Sequence, residues 1–286
     1  MAQVTKVDAF HISAYTLQQY RRIQALLDQL DPAAASQALV LPGSPAPERK
    51  IIVFPGSFNP PTSAHIAMLK QAWQFARMHG PMNVYAAIST HITDKERVQR
   101  PLLVDRITLL ETVLRKHVRH TGIMLFNRGL YVEQAEAIHS AFPQVMNLYF
   151  LIGFDKIVQI FDPRYYRDRD QALHELFALA DFLVAPRAEA GPEELKKLLN
   201  RPENRQYAGH VHALPLNATY RHISSTNIRQ SPSTHEQDIP LEVRRFIRET
   251  HAYDPPLELP DGTKIDQYGE RMRVIESALE APNGEK

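Results

Sequence analysis

Between residues 50 and 214, short apolar runs alternate with amphipathic stretches, and this alternation restricts the fold more than any other property of the chain. The runs at 51–55, 83–88, 122–126, 147–152, 182–185 and 210–214 predict strands. The stretches at 63–79, 102–117, 132–141, 156–161, 171–178 and 193–199 predict helices between them. Runs such as "IIVF" carry no polar alternation, so both faces of the strand are buried. Strand–helix alternation with buried strands implies a mostly parallel sheet of five or six strands covered on both sides. The expected fold class is α/β and doubly wound, with ligands held at the carboxyl ends of the strands.

The flanks read differently. Residues 1–48 predict a helical extension and linker. "TLQQYRRIQALLDQLD" places Leu17, Tyr20, Ile23, Leu26, Leu27 and Leu30 at helical spacing, and Pro32 closes it. "LPGSPAPERK" then reads as a linker. The apolar face of that helix must bury itself against the central domain or against a second subunit, which leaves a homo-oligomer open. "IPLEVRRFIRETHAY" predicts a closing helix, and residues 254–286 an extended arm in which "DQYGERMRVIESALE" forms a short amphipathic helix. The expected division is 1–48, a catalytic domain at 49–252, and a C-terminal arm at 253–286.

Charge and cysteine usage exclude several functions. A formal net charge of +1 supplies no field for nucleic acid or an anionic membrane. The chain has no cysteine, which removes disulfide scaffolds, thiolate nucleophiles and Cys-ligated zinc. The pairs His117 with His120 and His210 with His212 read as surface or strand residues, and no metal site is expected. "MAQVTKVDAFHISAY" lacks the apolar core of a signal peptide. No apolar run approaches the ~20 residues that span a bilayer. A soluble, cytoplasmic protein is expected.

Two segments carry chemistry. The first, "GSFNPPTSAHIAM", follows the first strand of the alternating region. Gly56 lacks a Cβ and permits close backbone approach. Pro60 and Pro61 stiffen the turn. Thr62 or Ser63 caps a helix whose first turn contains His65. A helix N-terminus with a histidine beside it suits a phosphate. Read alone, the stretch fits an ordinary βα loop with a surface histidine better than a phosphate site. The second segment, "RHISSTNIRQ", follows the last strand. Ser224, Ser225 and Thr226 are consecutive hydroxyls, and Arg229 lies one helical turn beyond Thr226, on the same side. Hydroxyl donors with a guanidinium fork suit a polyphosphate. Alone, they fit a helix cap with a solvated arginine better.

Taken together, "TSAH" (Thr62 to His65) and "ISSTNIR" (Ile223 to Arg229) resemble the paired (H/T)-x-x-H and I-S-S-T-x-x-R motifs of the nucleotidylyltransferase superfamily, in the family's order. "GSFNPPTSAH" is most similar to nicotinamide/nicotinate mononucleotide adenylyltransferases and their cytidylyltransferase-like relatives. "YFLIGFDKIVQIFDPRYY", "LLVDRITLLETVL", "ADFLVAPR" and "IPLEVRRFIRETHAY" extend the resemblance over roughly residues 50–252. The chain departs from the family in three places. "THITDKERVQRP" has no tryptophan, the only one being Trp73 in the first helix of the domain. Gln230 stands where a second basic residue commonly follows the arginine. "SPSTHEQDIP" lacks the usual glycine turn.

The resemblance implies a Rossmann-like fold and transfer of a nucleotidyl group from ATP to a mononucleotide, with release of pyrophosphate. It implies that His65 donates to the α-phosphate, that Thr62 binds phosphate nearby, and that Ser224, Ser225, Thr226 and Arg229 hold the β- and γ-phosphates. Gly56, Ser57 and Phe58 would lend backbone to the nucleotide. Gly153 and Asp155 would line the ribose, although Asp155 also reads as a helix N-cap. Lys95 would meet the acceptor phosphate, or else is a solvated surface lysine. Mg²⁺ would arrive with the triphosphate. Other readings stay open: CTP as donor, another phosphorylated acceptor, or a nucleotide-binding regulator without turnover.

Overall fold

The computed structural model describes residues 12–90 and 100–281. In chain order the elements are α1 (Ala14–Leu27), β1 (Ala38–Val40), β2 (Lys50–Pro55), α2 (Ser63–His79), β3 (Asn83–Ser89), α3 (Leu103–His117), β4 (Gly122–Phe126), α4 (Tyr131–Ala141), β5 (Asn147–Gly153) and α5 (Phe154–Phe161). They continue with α6 (Arg169–Leu179), β6 (Asp181–Ala185), α7 (Pro192–Leu199), β7 (Val211–Ala213), α8 (Ala218–Arg221), α9 (Ser225–Gln230), α10 (Leu241–Thr250), β8 (Leu257–Glu258), β9 (Lys264–Ile265) and α11 (Gln267–Glu280).

The main sheet has seven strands in the order β1-β4-β3-β2-β5-β6-β7, and every pairing except β1 with β4 is parallel. The strand order reverses between β2 and β5. Such a reversal opens a crevice at the carboxyl ends of the two strands. Here those ends are Pro55 and Gly153.

Alternate side chains of each strand enter opposite halves of the core. On β2, Ile52 and Phe54 pack beneath α1, α2, α3, α10 and α11. Ile51 and Val53 pack beneath α4, α5, α6 and α7. All four are nearly or fully inaccessible, each worth about 1.5–3 kcal/mol of hydrophobic stabilisation. A strand buried on both faces has no room for polar alternation, which accounts for the continuous apolar run.

The sheet exceeds the expected five or six strands by one edge strand. Ala38–Val40 lies within the stretch expected to be an extension and pairs antiparallel with β4, Ala38 opposite Phe126 and Val40 opposite Met124. Three residues carry no periodic signal; backbone pairing alone makes them a strand. Helix α1 buries Tyr20 and Ile23 against this same domain, beside α3 and α11. The arm after α10 holds a small β8–β9 ribbon that the sequence does not suggest. Its helix α11 docks through Tyr268, Arg271 and Ile275. Among the described residues, no helix is long and apolar enough to cross a membrane.

Candidate active site

The turn after β2 is built around a buried aromatic ring. Phe58 is fully buried at φ 45°, in the left-handed region, and packs on Phe54 and His65 at centroid distances of 5.4 and 4.9 Å. A Cβ at Gly56 would meet that ring at 3.2 Å, so glycine there leaves room for it. The Gly56 N–H donates to Ala87 O at 2.9 Å and continues the β2–β3 ladder into the turn.

Thr62 caps α2, and His65 completes the cap. The His65 N–H donates to Thr62 Oγ1 at 3.3 Å, and the Thr62 N–H donates to His65 Nδ1 at 2.9 Å. An acceptor Nδ1 assigns the proton of the neutral ring to Nε2. Burial, with the Arg187 guanidinium as the second cause, pushes the His65 pKa down to about 4. At neutral pH the ring is therefore an uncharged donor with a fixed tautomer.

The second segment is bonded to the first. Ser224 caps α9 by accepting from the Thr226 N–H at 3.2 Å. Ser225 Oγ donates to Pro60 O at 2.9 Å, and Arg229 donates to Asn59 O at 2.6 Å and to Thr226 Oγ1 at 3.3 Å. Ser225 thus uses its hydroxyl proton on the turn. Its hydroxyl is a stitch between the segments, and the residue also lines the cavity.

Between the segments is a cavity of about 280 Å³, near the lower end of small-molecule sites. It brings together Gly56, Ser57, His65, Gly153, Asp155, Ser224, Ser225, Thr226 and Arg229. Thr62 and Phe58 stand behind the wall, both buried. Lys95 lies outside the described residues. Gly153, not Asp155, is the N-cap of α5. Asp155 sits in the first turn, its Oδ1 only 2.6 Å from where a Gly153 Cβ would lie. Glycine at 153 leaves the carboxylate its place.

Four further polar or charged side chains line the cavity without having been singled out from the sequence: Tyr131, Lys156, Arg187 and Tyr220. Arg187 follows β6 in "ADFLVAPR" and donates to Ile223 O at 2.7 Å, tying the carboxyl end of the sheet to the start of the second segment. Its place just beyond a parallel strand is the signal that marks it. Among the described residues, Arg187, Arg229 and Lys156 against one carboxylate, Asp155, make the lining cationic. Phosphate oxygens suit such a lining. A wider cleft of about 950 Å³ opens beyond Phe154, but its rim mixes both charge signs and holds neither segment. His210 and His212 do not line this cavity and flank Asp181 at 2.8 and 3.5 Å.

The chain is similar to known proteins. A relative from Schizosaccharomyces pombe named "Putative nicotinamide mononucleotide adenylyltransferase" is 22% identical over 256 residues, covering 83% of this chain and 99% of its own length. A crystal structure of "a Putative Nicotinate-nucleotide Adenylyltransferase from Vibrio parahaemolyticus" aligns with a TM-score of 0.41 and 13% identity, over 70% of this chain and 99% of its own. The cytidylyltransferase-like family profile matches residues 53–231, from β2 through the end of α9. That match takes in more than half of the chain and both segments that face the cavity. The chain therefore belongs to the cytidylyltransferase-like family of the nucleotidylyltransferase superfamily.

Proposed function

We propose that the protein transfers the nucleoside monophosphate of an NTP, AMP from ATP, to the phosphate of nicotinamide or nicotinate mononucleotide. The products are pyrophosphate and NAD or deamido-NAD. One observation carries the reading: the histidine of "TSAH" and the arginine of "ISSTNIR" line one cationic cavity at the switch point of the sheet, and hydrogen bonds join their segments. The name of the Schizosaccharomyces pombe relative favours a mononucleotide acceptor.

The reaction needs no general base. The second pKa of a phosphate monoester is about 6, so the acceptor is already an anion near neutral pH. Its oxygen attacks the α-phosphorus, the bond from that phosphorus to the bridging oxygen breaks, and the electron pair leaves with pyrophosphate. Catalysis is then positioning and charge stabilisation. His65 Nε2–H donates to a non-bridging α-oxygen as charge builds there. Its other nitrogen is held by the Thr62 N–H, so the ring does not reorganise. Arg229, Thr226 and the Ser224–Ser225 backbone hold the departing phosphates, and Arg187 adds a second guanidinium. Asp155 accepts from ribose hydroxyls, beside Gly153. Among the described residues, Asp155 is the only carboxylate lining the cavity, and no group of three His, Asp or Glu could hold a metal. Mg²⁺ belongs to the substrate, as Mg·ATP.

The test is a donor-by-acceptor panel. Full-length protein is incubated with Mg·ATP or Mg·CTP and a series of phosphorylated acceptors, and pyrophosphate and dinucleotide are measured. ATP with either pyridine mononucleotide should give both products. Absence of pyrophosphate with every mononucleotide refutes the proposal. His65→Ala should lower kcat by roughly 10²–10³, the usual cost of removing one preorganised donor, with folding retained.

A further inference from the structure

Asp105, in the first turn of α3, is a fully buried carboxylate outside the cavity. It accepts from Tyr20 Oη of α1, from Tyr268 Oη of α11 at 2.8 Å, and from Arg271 of α11 through Nε at 3.0 Å and a terminal nitrogen at 2.5 Å. Arg271 also donates to Tyr20 Oη at 2.7 Å. Helix α3 has no side-chain cap; the Leu102 N–H donates instead to Tyr268 Oη at 2.7 Å. Arg100 is ion-paired with Asp266, the N-cap of α11. The two terminal helices thus converge on the start of one internal helix.

That start also holds the turn of the candidate active site. Arg106 donates to Ser57 O, and Arg100 O accepts from Asn59 Nδ2 at 3.1 Å. Asn59 is 1% exposed, and its side-chain oxygen accepts from Tyr253 Oη at 2.6 Å and its backbone oxygen from Arg229 at 2.6 Å. A shift of α3 therefore moves the turn that registers His65 against Arg229. A buried ionic cluster resists partial opening, because losing one partner leaves the other charge uncompensated.

We propose that α11, with Tyr20 of α1, is a clamp that fixes the start of α3 and, through Arg100 and Arg106, sets the Ser57–Asn59 turn for nucleotidyl transfer. Tyr268 and Arg271 are positioning residues; neither lines the cavity. The inference rests on the function proposed above for that cavity.

Tyr268→Phe in the full chain tests it, because the ring stays and only the hydroxyl is lost. Pyrophosphate kinetics are measured in the native and His65→Ala backgrounds, with hydrogen exchange of amides 57–59. A misplaced catalytic group costs rate more than binding. The expected result is therefore a kcat about tenfold lower, with KM for the triphosphate changed less than about twofold. The coupling should be strong: in the His65→Ala background the same substitution should cost less than about twofold. Amides 57–59 should exchange faster. An equal fold-loss in both backgrounds is what a merely structural role produces, and it overturns the clamp. If Tyr268→Phe does not fold, Asp266→Asn is carried through the same cycle, since asparagine keeps the cap of α11 while the ion pair to Arg100 is lost. Should the native protein release no pyrophosphate with any acceptor, the proposed function fails and exchange alone decides the clamp. Faster exchange at 57–59 then supports it, and unchanged exchange overturns it.

Discussion

His65 carries a thermodynamic signature that can be measured without any substrate. Burial in the cavity wall, reinforced by the Arg187 guanidinium, pushes its pKa from 6.5 down to about 4. In the unfolded chain the ring takes up its proton near 6.5; in the folded chain it does so only near 4. Between these values the unfolded state binds more protons, so stability rises with pH in that window and falls on acidification. Linkage over the two pKa values gives a loss of about 2.5 kcal/mol between pH 7.5 and pH 4.5 from this group alone. The perturbation is His65→Gln, which does not titrate; all other ionisable groups are common to both proteins and cancel in the difference. Urea unfolding of both proteins at several pH values in this range should show the stability of the native protein, relative to the variant, falling by about that amount. A gap constant to within about 0.5 kcal/mol refutes the burial of the ring. A ring resonance titrating near 6.5 refutes it as well. Either result would also remove the basis for treating His65 as a preorganised neutral donor.

Other perturbations probe the frame around the site. Arg271→Met leaves Asp105 buried with only two tyrosine hydroxyls, which should cost about 3–5 kcal/mol and lower the calorimetric melting midpoint by at least about 6 °C. Glu242 is held by Lys116 at 2.8 Å and His117 at 3.0 Å. Burial opposes its ionisation, but those hydrogen bonds outweigh it and bring the carboxyl down to about 2. A depressed carboxyl stabilises above its unfolded value of 4.5 and loses that contribution as pH falls towards 2. Glu242→Gln should therefore cost about 1 kcal/mol at pH 7 by urea unfolding, given partial exposure to solvent, and the gap should close in acid. Gly153→Ala puts a methyl group 2.6 Å from Asp155 Oδ1 and must rotate that carboxylate away. On the proposed ribose contact of Asp155, losing that charged hydrogen bond predicts a KM for the triphosphate about tenfold higher, with an unchanged melting curve.

Much of the domain was readable because its rules are local. The helix expected at 63–79 and the strand expected at 122–126 coincide with α2 and β4. Other strands and helices of the alternating region differ by one or two residues at their ends, where caps and fraying blur any boundary. Apolar period and turn punctuation act over a few residues, so they leave a mark there. Edge strand β1 leaves none, since three residues that pair with Phe126 and its neighbours need no pattern of their own. The ends of the chain were hardest for the same reason. Tyr20 and Arg271 are typical helix residues until Asp105 lies between them, and those contacts span 85 and 166 positions.

The two site segments were legible for a related reason: each is a helix cap, and cap chemistry is written in adjacent residues. Thr62 with His65, and Ser224 with Thr226, satisfy backbone donors within three positions. What adjacency does not encode is how one cap meets the other. Ser225 and Arg229 carry hydroxyl and guanidinium donors of the kind that bind phosphate, yet both donate to carbonyls of the first turn, at Pro60 and Asn59. Part of the donor set is thereby consumed in fixing the gap across the cavity. Arg187, at the carboxyl end of β6, lines the same cavity and spends one nitrogen on Ile223 O, so its other donors add a guanidinium from outside both motifs. A site made of two local motifs thus depends on a third residue that belongs to neither. Removing Arg187 should weaken triphosphate binding and free Ile223 O, while the Ser225–Pro60 and Arg229–Asn59 bonds still join the two segments.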